Sequence, residues 1–196
     1  SYSIVDAERL LQSFAFDGGK LVLEEKGLLA AESLLVSRYL MFRAVYNHHA
    51  NRIASKMLEN ALRIALDDGK ITVAGIADGN DYSVLFSLQG EPLVQRILSR
   101  RLFKTAFACK ETLPARRLEA ELLKEFRRDE FAVCDAGESL ASADVPLAKK
   151  DGARTTLLKE SFLAREINGQ FKAAGTLVAC GESERKKALS ICSRFA

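Results

Sequence analysis

Through the first half of the chain, apolar residues recur at three- and four-residue intervals, the spacing of a buried helix face. Leu10, Leu11 and Phe14 follow this rule behind Asp6, which predicts a helix over Val5–Phe14 with Asp6 as its cap. Asp17-Gly18-Gly19 reads as a turn, and Lys20–Leu23 as a short strand or extended linker. From Leu28 to Leu66 there is neither glycine nor proline. That run predicts one very long helix, or two joined by a slight bend, ended by Asp67-Asp68-Gly69. Within it Leu34, Tyr39, Met41, Phe42 and Val45 are interleaved, so the rod needs protein on most sides. Two shorter helices are expected over Asp81–Leu88 and Glu91–Leu98.

In the second half the period changes. Strands are expected at Leu102–Cys109, Phe131–Cys134, Ala143–Ala148 and Thr176–Cys180. Helices are expected at Pro114–Arg127, with its proline near the start, at Leu158–Ile167, and at Ser183–Phe195 behind a Ser183 cap. The order βαββαβ followed by a helix matches a ferredoxin-like arrangement. The fold class is thus α+β: a mainly helical N-terminal half with one very long helix, then a ferredoxin-like subdomain. The expected boundary lies near Arg100, giving regions 1–100 and 101–196.

Composition narrows the classes. Hydrophobic residues make up 48% and charged residues 28% of 196, globular proportions that exclude disordered and collagen-like architectures. No apolar run approaches the roughly 18 residues of a membrane span. The net charge of +3 comes from interspersed charges, and Phe103 and Phe131 stand outside any RNA-binding motif, so no nucleic-acid partner is expected. Cys109, Cys134, Cys180 and Cys192 form no C-x-x-C pair and read as reduced, mostly buried thiols of a cytoplasmic protein.

Candidate chemistry is sparse. His48 and His49 are the only histidines, and helical neighbours point about 100° apart, a poor arrangement for one metal ion. Metalloprotease, phosphate-loop and nucleophile-elbow motifs are all absent. Asp67-Asp68 and the Asp78, Asp81 pair sit beside glycine, where carboxylates serve turns. No catalytic residue and no metal ligand is assigned. The informative stretch is Ser37–His49. On a continuous helix Arg38 and Tyr46 would lie about 80° apart and two turns along. An arginine there can clamp phosphate oxygens while a tyrosine offers its face and hydroxyl to a sugar. A buried tyrosine and an ion-paired arginine on a core helix fit the same spacing.

Glu24–Leu28, Ala31–Leu35, Arg38–Phe42 and Val45–His48 together resemble the HD-domain phosphohydrolases, in particular the deoxynucleotide triphosphohydrolase-like subgroup. Arg100–Lys104 is similar to the R-x-L-F-K segment of that family, and Ser3–Leu11 to the stretch after its last metal-binding aspartate. The resemblance implies a C-terminal portion of such an enzyme, with the histidine, the His-Asp pair and the aspartate of the metal site upstream of Ser1. It further implies that Arg38 meets substrate phosphates and Tyr46 the sugar. His48, Arg100 and Lys104 would lie near an effector nucleotide site formed between subunits of a homo-oligomer. Phe42 departs from the pattern, since some relatives carry histidine there. No cofactor is expected in this chain, a divalent metal in the intact parent protein, and no hydrolysis by residues 1–196 alone. The alternative is a non-catalytic nucleotide-binding or assembly module.

Overall fold

Asp6 accepts a hydrogen bond from the Arg9 amide at 2.9 Å and starts α1 (Ala7–Leu11). This helix is shorter than its apolar pattern predicts, because Phe14 already opens β1 (Phe14–Asp17), which pairs with β2 (Lys20–Glu24). Gly18 and Gly19, at φ +55° and +76°, close the hairpin with Asp17 opposite Lys20. Two consecutive left-handed residues suit the strand twist, and glycine adopts them without a Cβ clash. The computed structural model describes residues 5–135, 144–170 and 175–195.

The chain divides into two compact units, Ser1–Tyr46 with Glu138–Ala173, and Asn47–Gly137 with Ala174–Ala196. Arg100, where the change of period suggests a boundary, lies within the second of these units. The first unit contains α1, β1, β2 and α2 (Leu28–Met41). Its returning segment adds β5 (Pro146–Ala148), β6 (Arg154–Thr156), α8 (Leu157–Glu160) and α9 (Phe162–Gln170). β2 runs parallel to β5, Leu23 opposite Leu147, and β5 is antiparallel to β6, so the sheet order is β1-β2-β5-β6. Leu23, Ala31, Leu35, Leu147, Leu157 and Ala164 form its buried core.

The second unit begins with α3 (His49–Asp67) and continues through α4 (Val73–Ala77), α5 (Asp81–Ser87) and α6 (Pro92–Leu98). β3 (Lys104–Ala108), α7 (Ala115–Leu122), β4 (Phe131–Cys134), β7 (Leu177–Cys180) and α10 (Arg185–Cys192) complete it. Its sheet is antiparallel, in the order β3-β7-β4. The strands Phe131–Cys134 and Leu177–Cys180 are buried at every position because both faces are covered. Ala132, Cys134, Leu177 and Ala179 join Ile53, Met57, Ala61 and Ala65 of α3. Phe131, Val133, Val178 and Cys180 join Leu118 and Leu122 of α7 and Ala188, Ile191 and Cys192 of α10.

Further expectations change. The very long helix is two helices: α2 ends at Met41, Phe42–Tyr46 is a π-helical turn, and His48 is extended at ψ 132° before α3 begins. No glycine or proline marks this break; the wider i→i+5 turn goes with packing of Phe42 against the first unit's core. The ferredoxin-like sheet is replaced by three strands, because β5 pairs with β2 instead of joining β3, β7 and β4. Of the strand expected at Ala143–Ala148, Ala143 lies outside the described residues and β5 starts at Pro146. Finally, α10 starts from Glu184 without a side-chain cap, the Ser183 hydroxyl donating to the Glu184 carboxylate at 2.6 Å instead.

Candidate functional site

Arg38 lies in the last turn of α2 and Tyr46 at the end of the π-helical turn. Both line one pocket of about 700 Å³, with Leu34, Ser37, Met41 and Phe42. The structure therefore brings the two residues to one concavity although the helix between them is not continuous. Its wall is mostly apolar. Ser37 is buried and donates its hydroxyl to the Ser33 carbonyl at 2.6 Å, so it lines the wall without offering that proton to a ligand. The Phe42 and Tyr46 rings sit 5.5 Å apart at 48°, which fixes the tyrosine ring while leaving the residue 53% exposed. Phe42 thus supplies ring contact and no imidazole.

The second unit holds a cleft of about 360 Å³ lined by His49, Ala50, Ile53, Arg100, Leu102, Phe103, Lys104, Thr105 and Arg185. Arg100 and Lys104 share it, as the sequence reading grouped them. His48 precedes it as the N-cap of α3, its ring 4.4 Å from that of His49, and His49 is the histidine on the wall. Among the described lining side chains there is no carboxylate. The first turn of α3 faces this space with no side-chain cap on its amides, and a helix N-terminus carries partial positive charge. Arg185 is oriented by Glu182, at 2.7 Å from its Nη1, and by the Thr105 carbonyl, at 3.2 Å from its Nε.

Arg100 has φ +56°, the one positive-φ residue other than glycine among those described. It occupies the position after α6 where the amide of Arg100 reaches the Ile97 carbonyl at 3.0 Å and that of Arg101 the Arg96 carbonyl at 2.8 Å. This helix-ending pattern ordinarily takes glycine. Backbone strain is thus held at a cationic side chain lining a cleft. Sequence reasoning missed Arg185 and His49: Arg185 lies 81 positions beyond Lys104, and only the pairing of β3 with β7 brings α10 alongside.

The remaining chemistry is quiet. Burial pushes the thiols of Cys134, Cys180 and Cys192 up to about 11, so at neutral pH they are protonated core groups. Asp68 caps the end of α3 and Asp78 that of α4, as turn residues should. Among the described residues no group of three or more His, Cys, Asp or Glu side chains could hold a metal ion, so the side chains described here do not fit the divalent site that the resemblance implies upstream. No helix among the described residues is long and apolar enough to cross a membrane.

The chain is 32% identical over 110 residues to the uncharacterized protein MJ1154 of Methanocaldococcus jannaschii, covering 53% of this chain and 24% of that protein. It is 24% identical to the uncharacterized protein YwfO of Bacillus subtilis, covering 87% of this chain and 49% of the relative. The chain therefore spans at most about half the length of these curated relatives. In structure it is similar to a hypothetical protein from Aquifex aeolicus, with TM-score 0.70 at 22% identity, covering 98% of this chain and 52% of the other. It is similar also to a phosphohydrolase from Bacteroides thetaiotaomicron, with TM-score 0.62 at 16% identity, covering 93% and 56%. The family model described as HD associated region matches residues 5–142, well over half the chain, and the chain belongs to that family.

Proposed function

We propose that this chain is the HD-associated portion of a metal-dependent (deoxy)nucleotide phosphohydrolase of the HD superfamily, and that it supplies recognition and not the metal site. The observation that carries the reading is the shared pocket of Arg38 and Tyr46, about 700 Å³, large enough for a nucleoside phosphate. In this role the Arg38 guanidinium neutralises phosphate oxygens, and Tyr46 sets its ring and hydroxyl against the sugar. Leu34, Met41 and Phe42 give the pocket an apolar wall beside the exposed Arg38 guanidinium. The membership in the HD-associated family and the phosphohydrolase among the structural neighbours support the assignment to this superfamily. A divalent metal held elsewhere in the parent protein would activate water for attack on a phosphoester.

The cationic cleft favours a second, compatible role. Arg100, Lys104, Arg185 and the α3 N-terminus suit a polyphosphate that regulates without being hydrolysed. Titration of the chain with deoxynucleoside triphosphates and GTP, read by thermal shift, tests both. Stabilisation lost in Arg38→Ala and Tyr46→Phe supports the substrate pocket; loss confined to Arg100→Ala and Lys104→Ala supports the effector role alone. No response to any nucleotide overturns both and leaves an assembly module. Metal-supported hydrolysis by residues 1–196 alone would contradict the assignment of recognition without catalysis.

A further inference from the structure

Arg52 lies on the first turn of α3 but does not line the cleft. Its Nη2 reaches three backbone carbonyls: Cys134 at 3.1 Å, Asp135 at 3.1 Å and Gly175 at 2.6 Å. In return the Cys134 thiol donates to the Arg52 carbonyl at 3.4 Å. The side chain is half-buried, so these contacts are better shielded from water than a surface pair. The His48 side chain does not cap this end of the helix, and Arg52, which can only donate, ties the first turn to neighbouring backbone carbonyls instead.

The three carbonyls lead toward the other wall of the cleft. Gly175 lies against the end of β3: a Cβ there would meet the Cys109 carbonyl oxygen and the Lys110 backbone, so only glycine fits without a shift. The neighbouring Thr176 accepts from the Cys109 amide at 2.9 Å. β3 itself carries Lys104 and Thr105 into the cleft. One guanidinium thus connects the helical wall, His49, Ala50 and Ile53, with the backbone that supports the strand wall.

We propose that Arg52 is the positioning residue of the cationic cleft: it seats the first turn of α3 against the ends of β4 and β7, so that the helix amides and the Arg100, Lys104 and Arg185 side chains converge on one polyphosphate. This inference rests on the effector reading of the cleft and adds a residue that touches no ligand. Nη2 carries two protons for three carbonyls, so a lysine ammonium, with three, can restore part of the arrangement.

The test uses inorganic tripolyphosphate as probe, with calorimetry over a range of salt concentrations, and hydrogen exchange of the unliganded chain. Arg52→Gln should lower tripolyphosphate affinity by about tenfold. The salt dependence should stay at the wild-type slope, because no contacting charge is lost, whereas Lys104→Ala should flatten it. Exchange at Arg52 and Ile53, the first hydrogen-bonded amides of α3, should accelerate while β4 and β7 keep their protection. Arg52→Lys should recover part of both effects, and it carries the same comparison if Arg52→Gln does not fold. Unchanged exchange in the first turn overturns the proposal. So does a uniform rise across the unit, which would make Arg52 a general stabiliser, or a flattened salt slope, which would make it a ligand contact. If the wild-type chain ignores tripolyphosphate, the effector reading fails by itself, and the exchange data still decide whether Arg52 seats the turn.

Discussion

Replacing Arg100 separates backbone strain from charge. With φ at +56°, the residue bears the left-handed cost of any side chain with a Cβ, about 1 kcal/mol relative to glycine. Arg100→Ala and Arg100→Gly both delete the guanidinium, but only glycine relieves the strain. The glycine variant gives back part of this through its larger unfolded-state freedom, roughly 0.4–1 kcal/mol. Glycine is therefore expected to equal or exceed alanine, by up to about 0.6 kcal/mol, or about 1–2 °C in Tm for a chain of this size. Both should weaken tripolyphosphate binding alike, by roughly five- to tenfold for one exposed charge-assisted contact. Thermal unfolding followed by circular dichroism, with calorimetry on the same samples, reads both quantities. An alanine variant clearly more stable than glycine refutes the strain argument. Affinity unchanged in both variants refutes a part for Arg100 in anion recognition.

Other outcomes follow from burial and pairing. Met57 is fully buried, so Met57→Ala should cost about 2–5 kcal/mol and lower Tm by roughly 5–15 °C, measured by chemical or thermal unfolding. Gly175→Ala places a Cβ against the Cys109 carbonyl and should lose about 1–3 kcal/mol in the same assay, whereas Gly90→Ala, with open space around it, should not. At pH 8 a thiol reagent should titrate Cys109 quickly and the three buried cysteines only on unfolding. Their raised folded values mean that the stability they contribute is complete below about pH 9 and lost as pH rises through 11, visible as a falling Tm over that window. The hydrogen bond from Lys187 holds the Glu125 carboxyl below its ordinary value. Glu125→Gln should therefore differ from wild type in full above about pH 4.5, the difference fading as pH falls below that value and the wild-type carboxylate in the folded chain takes up its proton.

Local patterns in the sequence identified most individual elements and few of their partners. The apolar runs Phe131–Cys134 and Leu177–Cys180 read as strands because burial on both faces leaves no alternation, and Asp17-Gly18-Gly19 reads as a hairpin turn because two left-handed residues need glycine there. Pairing of Leu23 with Leu147 joins residues more than a hundred positions apart, and periodicity carries no information about such a partner. The break after Met41 was equally hidden, since Phe42–Tyr46 forms its π-helical turn from ordinary helix-forming and aromatic residues. For the candidate site, Arg38, Tyr46, Arg100 and Lys104 could be singled out because each lies in a local motif. Arg185 and Arg52 are placed by contacts between distant segments, and their immediate neighbours in sequence give no sign of it.

The most direct measurement is a crystal structure of the chain with a non-hydrolysable deoxynucleoside triphosphate analogue at saturating concentration. The account predicts triphosphate density against the Arg38 guanidinium and the deoxyribose on the Tyr46 ring, within the pocket walled by Leu34, Met41 and Phe42. A saturated crystal with this pocket empty, or an analogue bound with Arg38 and Tyr46 out of reach, would contradict it.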